Sequence, residues 1–428
     1  MRIVYIGAGS AVFGRQLITD ILEIEGLESG TIALCDLDAG RLDVARRIAE
    51  RLVARSGKAF EVVASIDRTE LLADSDIIIN SIEVAGGPNV GPEHEIPLRY
   101  GVDQTVADTI GAGGIFKALR TGPAWLDIVR DVARLASGAT ILNYTNPMSI
   151  LTLAAIRATG MPIVGLCHSV QGTSRRIAEY LEVPYEEMTW RCAGINHNAW
   201  FTELRRGEQD LYPRLRERAQ LPEVYERDKV RFEVMLHLGY FVTESSRHFS
   251  EYVPYFRKRK DLIERFGMDG SGLARSWAER QAERQRRAEA WASGQEELPS
   301  GRSTEYGADI VEAIATGRPK VVHGNVVNEG LIDNLPQGGC VEVACLVDRR
   351  GVQPVHFGRL PEQMAALNRS HMAVHELMVQ ALLDHDRQAA LHALMLDPLT
   401  AAVCSLDEIE RLFEEMWIAE GDFLPDWK

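Results

Sequence analysis

The sequence predicts an α/β fold in two parts, a doubly wound parallel sheet over residues 1–195 and an α+β unit over residues 196–428. From the first residues to about 195, short β-branched runs alternate with helical stretches, the pattern of βαβ units. The first of those runs leads straight into a glycine turn, Gly7-Ala8-Gly9-Ser10. Beyond Thr189 the alternation loosens, and strands fall singly among longer helices. A chain of 428 residues also exceeds what one ordinary hydrophobic core serves, so two units are expected.

In order along the first part, strands are predicted over 2–6, 31–35, 60–64, 76–81, 140–144 and 163–167, with helical periodicity over 42–52 and 115–135. In the second part strands are predicted over 190–195, 199–204, 321–327 and 341–347, and helices over 222–238, 271–293, 305–315, 361–383 and 405–419. The stretch 277–295 is rich in Ala, Glu, Arg and Gln and reads as a solvated helix face rather than an interaction surface.

With 46% apolar and 25% charged residues, the composition is that of a globular protein and excludes a mainly disordered, collagen-like or coiled-coil chain. Lys and Arg number 47 against 62 Asp and Glu, a formal charge of −15 whose field repels phosphate backbones and anionic membranes. Neither nucleic acid nor a membrane is an expected partner. The chain opens on a strand rather than a basic leader, and no run approaches the roughly 18 apolar residues of a membrane span, so a cytoplasmic protein is expected. Cys35, Cys167, Cys192, Cys340, Cys345 and Cys404 are too sparse for a disulfide framework and are expected as reduced thiols, with room for one to act as a ligand.

The glycine turn follows a strand and precedes a helical run, which lets backbone N–H groups approach a pyrophosphate at a helix N-terminus. Gly7, Gly9 and Ser10 are the candidate contacts, although the third position of the G-x-G-x-x-G fingerprint is Val12. Asp36 ends the second predicted strand 27 residues after Gly9, where a carboxylate binds ribose hydroxyls and disfavours a 2′-phosphate. Together these make the first part Rossmann-type and favour NAD over NADP. Asp38 competes for the ribose role, its alternative being the N-cap of the next helix.

Open α/β sheets bind ligands at the carboxyl ends of their strands. Three such ends carry polar groups here: Thr145-Asn146-Pro147, Cys167-His168-Ser169 and Gly194-Ile195-Asn196-His197. Cys167 and His197 form a thiolate and imidazole pair suited to a divalent metal with positions open for substrate oxygens. The alternatives are a small buried hydrophobe ending a strand for Cys167 and a structural histidine for His197. His94, His237, His248 and His371 stand in no ligand spacing.

Seven segments, GAGSAVF at 7–13, ADTIGAGGI at 107–115, LNYTNPM at 142–148, GLCHSVQGT at 165–173, CAGINHNAW at 192–200, GYFVTESSRHFSEY at 239–252 and GLIDNLPQGGCVEVACLVD at 330–348, together resemble the NAD- and metal-dependent glycosidases of glycoside hydrolase family 4. The resemblance spans essentially the whole chain. The CHSV form with VTESS and NLPQG is most similar to the melibiase-type α-galactosidase branch, and Ala112 replaces the family's usual loop proline.

The resemblance implies a Rossmann domain followed by an α+β domain, a homodimer or homotetramer built through the second domain, NAD as catalytic cofactor and Mn²⁺ as metal. Fe²⁺, Co²⁺ and Ni²⁺ suit the same donors. It implies hydride transfer from C3 of the sugar, loss of the C2 proton, elimination at C1, water addition and return of the hydride, outside the usual two-carboxylate scheme. Cys167 and His197 would hold the metal. Tyr252 would take the C2 proton, with Tyr240 and Tyr255 as alternatives, and Asp108 would raise its basicity. His168, where other branches carry Asp, would protonate the departing oxygen or bind a sugar hydroxyl. Asn146 and Asn196 would bind the substrate.

The implied substrate is a small α-galactoside such as melibiose. An α-galacturonidase is the nearest rival and needs a basic contact at C6, for which Arg257-Lys258-Arg259-Lys260 is the candidate, the alternative being a solvated loop. A simple NAD-dependent 2-hydroxy acid dehydrogenase shares the Rossmann start but uses no metal, and the Cys167/His197 pair argues against it. A non-catalytic NAD-binding sensor is expected to have degraded catalytic segments, and these are intact.

Overall fold

The computed structural model of the protein describes residues 1–268, 277–424 and 427. Strand β1 (Arg2–Ile6) pairs in parallel with β2 (Ser29–Cys35) on one side and β4 (Ile77–Asn80) on the other. β3 (Ala59–Ser65) continues beyond β2, and β5 (Thr140–Asn143) and β6 (Ile163–Gly165) continue beyond β4, all parallel. The order therefore reverses between β1 and β4, which opens a crevice at the carboxyl ends of those strands.

The sheet does not stop at β6. β7 (Thr189–Ile195) and β8 (Asn198–Arg206) form a hairpin extended by β9 (Gln209–Asp210) and β10 (Phe241–Val242). β11 (Lys320–Val327) and β12 (Cys340–Asp348), with β13 (Gly351–Pro354) on the edge of β12, enter antiparallel between β6 and β7. Among the described residues the result is one sheet of 13 strands. The division proposed at 195/196 falls at the turn joining β7 to β8 within that sheet.

Six helices accompany the first strands: α1 (Ala11–Leu22), α2 (Ala39–Ser56), α3 (Gly86–Arg99), α4 (Gly111–Leu135), α5 (Met148–Thr159) and α6 (Ser169–Leu181). α1, α2 and the helix Tyr306–Thr316 cover one face through Leu17, Ile48 and Val311. α4, α5 and the helix Glu362–Asp384 cover the other through Phe116, Leu151 and Met378. Burial on both faces is why β1, β4 and β5 read as continuous apolar runs rather than alternating ones. Each fully buried Ile or Leu there contributes roughly 1.5–3 kcal/mol.

Several elements differ from the sequence expectation. The helix predicted over 222–238 is two, Pro222–Tyr225 and Lys229–Leu238. The break is at Asp228, whose buried carboxylate accepts from Arg231 Nε (2.7 Å), the Tyr180 hydroxyl (2.8 Å) and Ser246 Oγ (2.5 Å). Of the helix predicted over 271–293, residues 271–276 lie outside the described residues, and the remainder is Trp277–Ser293 with Ala288 and Trp291 buried. β6 ends at Gly165, before Cys167, so that Cys167 stands on the connection to α6. α3 was hidden by Pro92, Pro97 and three glycines, residues of poor helix propensity.

Candidate active site

The crevice begins at the glycine turn. Gly7, at φ +87°, and Ala8 donate their amides to the Cys35 carbonyl at 3.0 Å each, which turns the chain sharply after β1. Gly9 donates its amide to Asp36 Oδ2 at 2.7 Å, and a Cβ at Gly9 would lie 2.6 Å from that same oxygen. Ser10, the N-cap of α1, makes no side-chain cap, which leaves the first amides of the helix available to an anion. Asp36 thus stands beside the phosphate turn with its other oxygen on the Asp38 amide (3.0 Å). Asp38 is the N-cap of α2, accepting from Gly40 and Arg41 at 3.0 Å each. These residues fit a dinucleotide.

The second cluster is built by β6 and β7 with β11 and β12 between them, Asn325 opposite Gly165 and Glu342 opposite both Asn325 and Gly194. Above them Cys167 Sγ lies 3.2 Å from His197 Nε2. His197 is at φ +62° in the tight turn of the β7–β8 hairpin, a left-handed conformation that aims its ring back across the sheet. Burial disfavours charge on both groups, but each is overridden by the other, so that His197 is raised and Cys167 lowered toward an imidazolium–thiolate pair. Glu244 Oε2 lies 3.5 Å from the same Nε2, while its Oε1 accepts from the Ser245 amide and hydroxyl at 2.8 Å each. Among the described residues no closed set of three His, Cys, Asp or Glu donors forms here. Thiolate and imidazole converging on one point fit a divalent metal in an open site.

Tyr252 reaches this centre from the other side of the ring, its hydroxyl 3.1 Å from His197 Nδ1. Its carbonyl accepts from His371 Nε2 at 2.7 Å. Burial first, then the charges of Glu244, Asp108 and Glu251, push the phenol well above its usual value. Of the alternatives, Tyr240 packs against Tyr212 and Tyr255 is 46% exposed beside Phe256. Only Tyr252 of the three contacts His197.

Asp108 accepts from Asn146 Nδ2 (3.2 Å) and Thr109 Oγ1 (2.6 Å). Burial opposes its ionisation, but Lys117, His248 and the Thr109 hydroxyl hold it at about 2. Asn196 is 2% exposed, and neither polar atom of its amide has a hydrogen-bond partner. His168 Nε2 contacts Glu305 Oε1, and that hydrogen bond raises the imidazole above its usual value against the effect of burial. Thus Cys167, His197 and Tyr252 form a chain of contacts, with Asn196 next to His197 in sequence; Asn146 and Asp108 pair with each other, and Gly7, Gly9, Ser10 and Asp36 form a separate cluster.

Four neighbours, Glu244, His248, Glu251 and Glu305, were not found from sequence. His248, which the spacing left without a partner, lies with Nε2 3.7 Å from Asp108 Oδ1 and Nδ1 3.3 Å from Glu251 Oε2. Its ring centroid is 4.9 Å from that of His197 and 5.3 Å from that of Tyr252. Glu251 accepts from the amides of Val106 (2.6 Å) and Ala107 (3.3 Å), and despite burial His248, the Thr105 hydroxyl and the charge of Arg257 keep it ionised, at about 2. Glu244, His248 and Tyr252 recur every four residues, a spacing available in the sequence, although the helix formed there spans only Ser246–Phe249. Glu305 carries no local signal, being 137 positions from His168. Of the basic run, Arg257 is fully buried against Asp103 (2.9 Å), and Arg259 pairs with Asp261 (2.8 Å) on the surface.

Known proteins resemble this chain over its whole length. The model for family 4 glycosyl hydrolase matches residues 2–183, and that for the family 4 glycosyl hydrolase C-terminal domain matches residues 192–400. The α-galactosidase of Bacillus subtilis (strain 168) is 39% identical, with 100% of both chains covered. That of Rhizobium meliloti (strain 1021) is 36% identical, covering 100% of this chain and 89% of the relative. An α-galacturonidase of Bacillus subtilis is 30% identical, covering 97% and 96%. Among solved structures, a 6-phospho-α-glucosidase from gut microorganisms in complex with NAD and Mn²⁺ superposes with a TM-score of 0.83 at 21% identity, covering 100% of this chain and 99% of that one.

Proposed function

The chain belongs to the family 4 glycosyl hydrolases, and from that premise we propose that it is an α-galactosidase cleaving small α-galactosides such as melibiose, dependent on NAD and a divalent metal, Mn²⁺ foremost. The observation that carries the reading is the 3.2 Å approach of Cys167 Sγ to His197 Nε2 at a sheet edge shared with a dinucleotide turn. A dehydrogenase of hydroxy acids has no use for that pair. We propose further that it works in the cytoplasm as a homodimer or homotetramer. No helix among the described residues is long and apolar enough to cross a membrane.

When bound, NAD accepts a hydride from the sugar and returns it, and the metal polarises the oxygens beside the reacting carbon. Gly7, Gly9 and the N-terminus of α1 seat the pyrophosphate, and Asp36 takes the ribose hydroxyls. Cys167 and His197 would hold the metal. Asn146 and Asn196 donate to sugar hydroxyls and fix the ring. Tyr252 would take the C2 proton on its oxygen as the phenolate; burial and three nearby carboxylates oppose that ionisation, and His248, between Asp108 and Glu251, supplies opposing positive charge. His168 delivers a proton to the departing oxygen.

A galactoside is favoured over a galacturonide by the state of the nearby cations. Lys117 is bound to Glu83 (2.8 Å), Arg231 to Asp228, and Arg257 to Asp103 (2.9 Å), so each is committed to a protein carboxylate. The site adds Glu244, Asp108 and Glu251, charges that repel a sugar carboxylate. The test is release of p-nitrophenol from the α-galactoside and the α-galacturonide, under reducing conditions, with NAD⁺ and Mn²⁺ each supplied or withheld. Cleavage of the galactoside that needs both, without NADH accumulating, is the expected result. Preference for the galacturonide overturns the substrate, and NADH accumulating on a hydroxy acid without cleavage overturns the class.

A further inference from the structure

The N-terminus of the helix Tyr306–Thr316 is pinned to the ligand edge of the sheet from two sides. The Gly307 amide donates to the Tyr144 hydroxyl just past β5 (3.0 Å). Ser303 donates its amide (2.7 Å) and its hydroxyl to Asp20 of α1. Between these anchors stands Glu305, only 6% exposed, with Oε1 against Nε2 of His168. A carboxylate is costly to bury unless it meets a donor or a cation. This one is aimed at the imidazole that follows the thiolate ligand, and it is held there from main chain, since the Glu305 amide donates to Ser303 Oγ at 3.2 Å.

We propose that Glu305 is a positioning residue for protonation of the leaving group. By accepting the Nε2–H of His168 it sets the tautomer and plane of the ring, so that the proton destined for the glycosidic oxygen is carried on Nδ1. The inference rests on the α-galactosidase reading and deepens it. As the C1–O bond breaks, its electron pair stays on the departing oxygen and the Nδ1 proton joins it. The pair released when C2 loses its proton forms the C1=C2 bond, and His168 is left neutral with Nε2–H still on Glu305. When water adds at C1, Nδ1 takes one of its protons back.

The experiment compares Glu305→Gln with the wild type on melibiose, whose sugar alkoxide cannot depart without a proton, and on p-nitrophenyl α-galactoside, whose phenolate can. NAD⁺ and Mn²⁺ are supplied throughout. The expected result is a loss of about 10²-fold in kcat on melibiose and of less than about 5-fold on the aryl glycoside. In a His168→Asn background the same substitution is expected to cost nothing more. Glu305→Asp, which keeps the charge at shorter reach, should recover about 10-fold on melibiose and serves if the glutamine variant does not fold. Equal losses on both substrates, an unchanged melibiose rate, or full additivity with His168→Asn would each overturn the assignment. Wild-type silence on both galactosides overturns the α-galactosidase reading itself, and the assignment falls with it.

Discussion

The hydroxyl of Tyr252 lies 3.1 Å from Nδ1 of His197, the nitrogen opposite the one that faces Cys167. One imidazole therefore links the proposed metal ligand to the proposed base. A ligand ring whose far nitrogen is hydrogen-bonded is fixed in tautomer and direction. Tyr252→Phe removes both functions of the hydroxyl. Exchange of the C2 hydrogen with solvent deuterium should fall below detection and turnover by more than about 10²-fold. Metal affinity, read by titration without substrate, should weaken by about 10-fold from the loss of ring orientation. Normal C2 exchange in this variant moves the base elsewhere.

Cys167→Ser tests the metal assignment directly. A serine hydroxyl replaces a soft anionic donor by a weak neutral one, and His197 loses the thiolate that stabilises its charge. Metal-dependent cleavage should vanish while the NAD dissociation constant, measured by cofactor fluorescence, stays within about 3-fold of the wild type because Gly7, Gly9 and Asp36 are untouched. Retained activity with added Mn²⁺ removes Cys167 from the ligand set.

Much of this was legible in sequence because it depends on local pattern. The run of β1 to β6 shows as β-branched segments because both faces are buried. The rule that ligands gather at strand ends picks out Cys167 and His197, whose side chains the fold brings to 3.2 Å of each other. What stayed hidden depends on pairs distant in sequence. Glu305 meets His168 only because the helix after it docks on Tyr144. His248 shows no ligand spacing, yet folding places it between Asp108 and Glu251. Asp228 looked like one more polar position of a long helix until its contacts with Tyr180 and Arg231 turned it inward and broke the helix.

Gly9→Ala addresses the dinucleotide turn. The new methyl would lie 2.6 Å from Asp36 Oδ2 and 3.0 Å from Arg41 Cβ, closer than carbon and oxygen tolerate, so Asp36 must move or the turn must open. Either change displaces the proposed ribose partner relative to the proposed pyrophosphate seat. NAD affinity should fall by about 10-fold or more, close to the 1.4 kcal/mol that one decade represents. Metal binding at Cys167 and His197 should be unaffected, and parallel titrations of the two ligands decide it.

Acid sensitivity should come from two histidines far from the chemistry. His323, packed on Trp190, is lowered by burial to about 4, and His375, inside the helix Glu362–Asp384, is lowered by burial and by His371 to about 3. In the unfolded chain both return to the ordinary value near 6.5. Between that value and the folded ones the unfolded state binds more protons, so stability rises with pH across this window and is fully present above it. Each histidine costs about 1.4 kcal/mol per pH unit on the way down, hence about 2 kcal/mol by pH 5. His375→Leu removes one titration without opening a cavity. Urea unfolding at pH 7 and pH 5 should show the variant losing about 2 kcal/mol less than the wild type over that interval. An identical loss in both proteins would mean that the ring at 375 takes up its proton in the folded state over the same interval as in the unfolded one, and the helix that carries it would then have to open to water as the pH falls.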